Sequence, residues 1–131
     1  MKAFLVVLEN RPGKLARVSE AIADRGVNIT AISGITIGTQ GAVALMTSDE
    51  AATRDAFRDA GIDVRELEVI AVTLPNRPGI LARTARRLED KSVNVELLLP
   101  TAMSARTVRC VIAVDNVEAA RDALGDLGDS D

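Results

Sequence analysis

The sequence predicts an α+β protein made of two copies of one small unit, each with antiparallel strands and its helices on one face. Three observations lead there. Asn10-Arg11-Pro12-Gly13 recurs as Asn76-Arg77-Pro78-Gly79, and the likeness runs on through Leu15-Ala16-Arg17 against Leu81-Ala82-Arg83. It closes with Val27-Asn28-Ile29 against Val93-Asn94-Val95, so one offset relates a long stretch of chain. Within each copy, short apolar runs alternate with segments of helical period, and glycines mark the joints.

In the first unit, residues 2–8 form an apolar run that ends at Asn10-Arg11-Pro12, as a buried strand would. Pro12 suits the first turn of a helix, where its missing N–H costs nothing. Leu15, Val18 and Ile22 follow at helical spacing and define an inward face, and Gly26 ends the helix. Residues 27–37 read as a second strand, Gly38 to Gly41 as a turn, and residues 42–47 as a third strand. Residues 50–59 read as a helix with Ala56 and Phe57 inward, and residues 62–67 as a fourth strand.

The second unit repeats the order. It has a strand at 69–74, a helix at 78–91 with Leu81, Ala85 and Leu88 inward, and strands near 93–99 and at 107–114. A helix at 117–124 follows, and Val108, Cys110, Ile112 and Val114 alternate onto one face. Cys110 therefore reads as a small core residue. After Leu124 the chain reads Gly-Asp-Leu-Gly-Asp-Ser-Asp, too polar and glycine-rich for a strand, so the second unit lacks a clear last strand. The predicted domains are 1–67 and 68–131. Only Glu68 separates the strands at their junction, which predicts one long strand there. The strand left without a partner predicts an intimate sheet or a homodimer.

Composition narrows the function. No His and a single Cys among 131 residues exclude a Ser-His-Asp or Cys-His centre and a standard zinc site, and no cofactor is expected. A net charge of -3 with two Phe, no Tyr and no Trp gives neither a basic stripe nor stacking platforms, which argues against nucleic acid. No apolar run approaches the ~20 residues of a membrane span, and Met1 to Leu8 is too short for a secretory core, so a cytoplasmic protein is expected. Lys14, Glu9 and Glu96 are the groups on which a small enzyme would have to draw, but no catalytic constellation forms from them.

The joint between first strand and first helix is where binding is expected. A helix start offers unpaired N–H groups and a dipole that favours a carboxylate. Gly13 lets a ligand approach the backbone, and the Asn10 amide can both donate and accept. Asn28 begins the next strand, and both asparagines are expected near one end of the sheet. The same residues also make an ordinary turn, with Pro setting φ and Gly and Asn tolerating unusual angles. Arg11 and Arg77 could meet a ligand carboxylate or simply be solvated.

The pattern Leu-Glu-Asn-Arg-Pro-Gly-Lys-Leu-Ala followed by Gly-Val-Asn-Ile resembles the ACT domain, twice over. The resemblance implies a ferredoxin-like βαββαβ fold, side-by-side pairing of domains, and a free amino acid bound at the seam between two of them. It implies a regulatory, non-catalytic role in amino-acid metabolism. Carried over residue by residue, it implies ligand contacts from Asn10, Arg11, Pro12, Gly13, Leu15, Asn28 and Ile29. The second set is Asn76, Arg77, Pro78, Gly79, Leu81, Asn94 and Val95, and a seam site would take one Asn from each domain, such as Asn10 with Asn94. A homodimer is expected, with two alternatives for the function. In one the chain is the regulatory subunit of a separate biosynthetic enzyme, since the helix start is also similar to that of the acetolactate synthase small subunit. In the other the chain is itself a transcriptional regulator acting through protein contacts, like tandem-ACT repressors. Lys14 becomes Ile80 and Gly26 becomes Ser92, so the two sites are expected to be unequal.

Overall fold

A computed structural model of the chain describes residues 1–127. Its elements run β1 (Lys2–Glu9), α1 (Lys14–Ala23), β2 (Ile29–Ile37), β3 (Gln40–Thr47), α2 (Glu50–Asp59) and β4 (Arg65–Pro75). Then come α3 (Ile80–Asp90), β5 (Val95–Met103), β6 (Thr107–Val114) and α4 (Val117–Leu124), with a single 3-10 turn at Gly125–Leu127. The chain divides into two compact units, Lys2–Leu67 and Glu68 onward together with Met1. It passes between them inside β4, the one long strand expected across Glu68, which begins at Arg65, later than the predicted 62, and runs to Pro75.

The first unit is an α+β, ferredoxin-like βαββαβ arrangement. Strand β3 lies between β2 and β1 and is antiparallel to both, and the opening residues of β4 flank β1. Phe4 pairs with Leu45 and Val6 with Val43, which puts these four side chains on one face. Helices α1 and α2 cover that face with Val18, Ile22 and Phe57. Phe4 and Phe57 meet edge to face, 6.0 Å between ring centres, and supply the aromatic content of this small core.

The second unit has the order β4-β6-β5. Ile70, Val72, Leu74, Cys110, Ile112 and Val114 share the face covered by α3 and α4, where they meet Leu88, Ala120 and Leu124. Cys110 is a core residue here, 4% exposed. Among the described residues no strand follows α4, and Gly128 to Asp131 lie outside them. Strand β5 runs on to Met103, beyond the predicted end near 99, because an edge position tolerates Pro100. The ladder shifts register there, between Pro100 and Ala102.

Helix phase departs from the sequence reading in one consistent way. Leu15 and Leu81, expected inward, are 52% and 55% exposed, and Ala85 is exposed as well. The inward set of α3 is Ile80, Thr84 and Leu88. The face turns because the helix begins after Gly79, and because Thr84 satisfies its hydroxyl on the Ile80 carbonyl at 2.8 Å and so can be buried.

Both helices of the repeat end on a residue with positive φ, Gly26 at 68° and Ser92 at 56°. At Ser92 the Val93 N–H reaches back to the Leu88 carbonyl at 2.9 Å, a Schellman-type closure that glycine adopts at lower cost. Ser92→Gly is therefore expected to raise stability by a few tenths to about 1 kcal/mol, measured by urea denaturation.

Two carboxylates anchor the helical layer of the first unit. Arg54 of α2 donates through Nε at 2.8 Å, and through its terminal nitrogen, to Glu66 of β4. Those hydrogen bonds hold the Glu66 carboxyl below its ordinary range. Arg25 and Arg58 do the same for Asp59. A carboxyl whose folded pKa is depressed stabilises the fold above its unfolded value of about 4, and that contribution fades as pH falls through the folded value. The melting temperature is expected to drop on acidification in that window, with a shallower drop in Arg54→Met.

Candidate functional site

The two Asn-Arg-Pro-Gly segments adopt the same geometry. Gly13 has φ 90° and ψ -13°, and Gly79 has φ 86° and ψ -9°. The Lys14 N–H points to the Arg11 carbonyl and the Ile80 N–H to the Arg77 carbonyl, each at 3.4 Å. This is a type II turn with Pro at its second position and Gly at its third. Pro12 and Pro78 therefore precede the helix and do not occupy its first turn, a correction to the sequence reading. Gly13 and Gly79 are fixed by their backbone angle, since a Cβ at either would meet nothing within 4 Å.

Asn10 and Asn76 tie this turn to the neighbouring hairpin. The Asn10 N–H donates to the Thr39 carbonyl at 2.8 Å, and its Nδ2 to the Gly38 carbonyl at 3.1 Å. Asn76 repeats both bonds, to Arg106 at 2.8 Å and to Ser104 at 2.8 Å. Each amide nitrogen is thereby committed to the hairpin.

The helix starts differ in a pattern that also repeats. Helices α2 and α4 are capped by Asp49 and Asn116, whose side chains accept from Ala52 and Ala119. Helices α1 and α3 have no side-chain cap, and no acidic residue lies in the first turn of either. Beside the α1 start lies an open recess of about 390 Å³. Leu8, Val43, Gly34 and Gly41 line it from the sheet, and Asn10, Arg11, Lys14 and Leu15 from the turn and helix. Arg11 is engaged by Glu9, Nε to carboxylate oxygen at 2.6 Å. Lys14, which the sequence reading left out of the expected contacts, also lines the recess, and its counterpart in the second copy is Ile80.

Asn28 and Asn94 do not join Asn10 and Asn76 at one end of the sheet. Asn10 sits beside the β2–β3 turn, whereas Ile29 pairs with Thr47 at the far end of β3. Seven residues of β3 separate the two ends, roughly 23 Å at about 3.3 Å per residue. Asn28 and Asn94 are exposed, and their backbone N–H groups donate to Ser48 Oγ at 3.0 Å and to Asp115 Oδ1 at 2.9 Å. Ile29 and Val95 open β2 and β5 beside them. Within a unit, the structure thus gathers Asn10 to Leu15, and Asn76 to Leu81, and leaves the second asparagine of each set apart.

An ACT domain is found at residues 3–58. A search of curated proteins gives no match. Among solved structures the chain is similar to protein BT0572 of Bacteroides thetaiotaomicron, with 25% identity, a TM-score of 0.80, and coverage of 94% of this chain and 85% of that one. It is also similar to the regulatory subunit of aspartate kinase from Thermus thermophilus, at 19% identity and a TM-score of 0.64, covering 94% and 89%. The corresponding subunit from Thermus flavus gives 21% identity and 0.60, covering 94% and 88%. At these identities the two Thermus structures speak for the fold alone. Among the described residues no helix is long and apolar enough to cross a membrane, and no group of three His, Cys, Asp or Glu is placed to hold a metal ion.

The left-handed glycine is the part of this turn most open to test. Gly13→Ala and Gly79→Ala are each expected to cost about 1 kcal/mol of stability in denaturant titrations, because alanine must hold a positive φ with no compensating contact. A cost near zero would show that the turn relaxes to another form.

Proposed function

We propose that this chain is an amino-acid-binding regulatory protein of two ACT units, residues 1–67 and 68–131, without a catalytic centre and acting in the cytoplasm. The observation that carries the reading is the recess beside the uncapped start of α1, inside the segment matched as an ACT domain. Its chemistry suits a zwitterion. The free N–H groups of the first turn and the Lys14 ammonium meet the carboxylate, and the amide oxygen of the exposed Asn10 meets the ammonium group.

Asn28 enters through a second copy of the chain. Strand β2 is an edge, with Ile35 and Ile37 exposed along it. Antiparallel pairing of two such edges sets the Asn28 end of one copy against the Asn10 end of the other. The recess is then closed as a seam, and ligand binding favours the paired state by its extra affinity for it. A second, compatible reading is that the signal passes to a separate biosynthetic enzyme, favoured by the resemblance of the helix start to that of the acetolactate synthase small subunit.

A thermal-shift screen with the common amino acids at millimolar concentration is expected to give a rise in melting temperature with one or a few of them, and light scattering a shift toward dimer. Asn10→Ala and Asn28→Ala are each expected to weaken binding about tenfold, as loss of a hydrogen bond to a charged group does. No response to any amino acid contradicts the proposal.

A further inference from the structure

The two copies of the binding turn share their backbone but not their floor. In the first unit, Leu8 lies opposite Gly41, Gly41 opposite Thr36, and Val43 opposite Gly34. The same register positions in the second unit hold Leu74 opposite Val108, Val108 opposite Met103, and Cys110 opposite Pro100. Two glycines that leave the first floor open are thus replaced by Val108 and Pro100. The leucines report the result. Leu8 is half-buried and lines the recess, whereas Leu74 is 4% exposed and belongs to the core.

The helix start differs in the same sense. Lys14 lines the mouth of the first recess, and its counterpart Ile80 packs against the core of the second unit. The second turn therefore keeps its asparagine and its left-handed glycine, but larger residues stand at the two glycine positions of the floor and an apolar one at the position of Lys14.

We infer that the first unit alone takes the ligand, and that the ligand is an amino acid with an aliphatic side chain. This rests on the regulatory reading above and names the ligand class and the active copy. The apolar part of the lining, its floor, is Leu8, Val43 and the half-exposed Leu15, while the ionisable residues that also line the recess are Lys14 and the Glu9–Arg11 pair, whose charges already meet each other. A charged ligand side chain on that floor would lose its water without gaining a partner. An aliphatic one buries apolar area against it while the carboxylate stays at the Lys14 mouth. Gly34 and Gly41 set the depth. A Cβ on Gly41 would stand 3.4 Å from Leu8 Cδ1, so a larger residue there pushes into the recess.

Isothermal titration calorimetry of the whole chain tests this, with L-leucine, L-isoleucine and L-valine against L-aspartate and L-lysine. The expected result is saturation at one aliphatic amino acid per chain and no saturable heat with the charged pair. Gly41→Val is expected to weaken binding tenfold or more, and Asn76→Ala to change it less than twofold. Should Gly41→Val fail to fold, Lys14→Ile copies the second unit at a half-buried position outside the core and is expected to cost a similar factor. Saturation at two per chain, tighter binding of a charged amino acid, or an equal loss in Asn76→Ala and Asn10→Ala would overturn the inference while leaving the regulatory reading intact. Absence of heat with every amino acid would overturn both.

Discussion

Strand β3 lies between β1 and β2 and is antiparallel to each, and this constraint decides what the site can be. It makes β1 and β2 parallel, so the end of one and the start of the other fall at opposite ends of the sheet. Asn10 and Asn28 therefore belong to opposite ends, however alike they look in sequence. A ligand held by both must lie where one module meets another. In the proposed seam site the pairing of modules is part of the binding chemistry, so ligand affinity and assembly form one equilibrium.

What the Asn-Arg-Pro-Gly turn does follows from its bonds. The Asn10 amide spends its N–H on the hairpin carbonyl of Gly38, and Gly13 spends its conformational freedom on a positive φ. Both are structural duties. They hold the helix start open, in contrast to α2, whose start is filled by Asp49. The turn and the site are thus one device, in which the local fold leaves donors unpaired at a defined place.

Much of this was legible in the sequence. The repeat gave the unit, and alternation gave the faces of β1 and β6, including the buried place of Cys110. The phase of α3 was not legible, because Pro78 looked like the first helical residue, whereas the helix begins two residues later, at Ile80. The inward face was placed one residue off, which turned Leu81 and Ala85 inward on paper and left Ile80 and Thr84 out. A buried threonine goes unrecognised from sequence, since nothing local announces that its hydroxyl will bond the preceding turn. The separation of Asn10 from Asn28 could have been read from the strand–helix–strand order alone, because such a crossover joins parallel strands. The emptiness of the first recess could not. It depends on which residues of β2 and β3 face Leu8, and a register shift beside Ile29 moves that alignment.

The most direct measurement is a two-dimensional amide NMR titration of the labelled chain with L-leucine. Binding at the first unit predicts the largest shifts at Gly13, Leu15, Gly34 and Gly41, with Asn28 shifting through the second copy. Gly79, Leu81, Pro100's neighbour Thr101 and Val108 should stay in place. Shifts of equal size at the second set, or shifts confined to residues away from the α1 start, would contradict a single seam site built on the first unit.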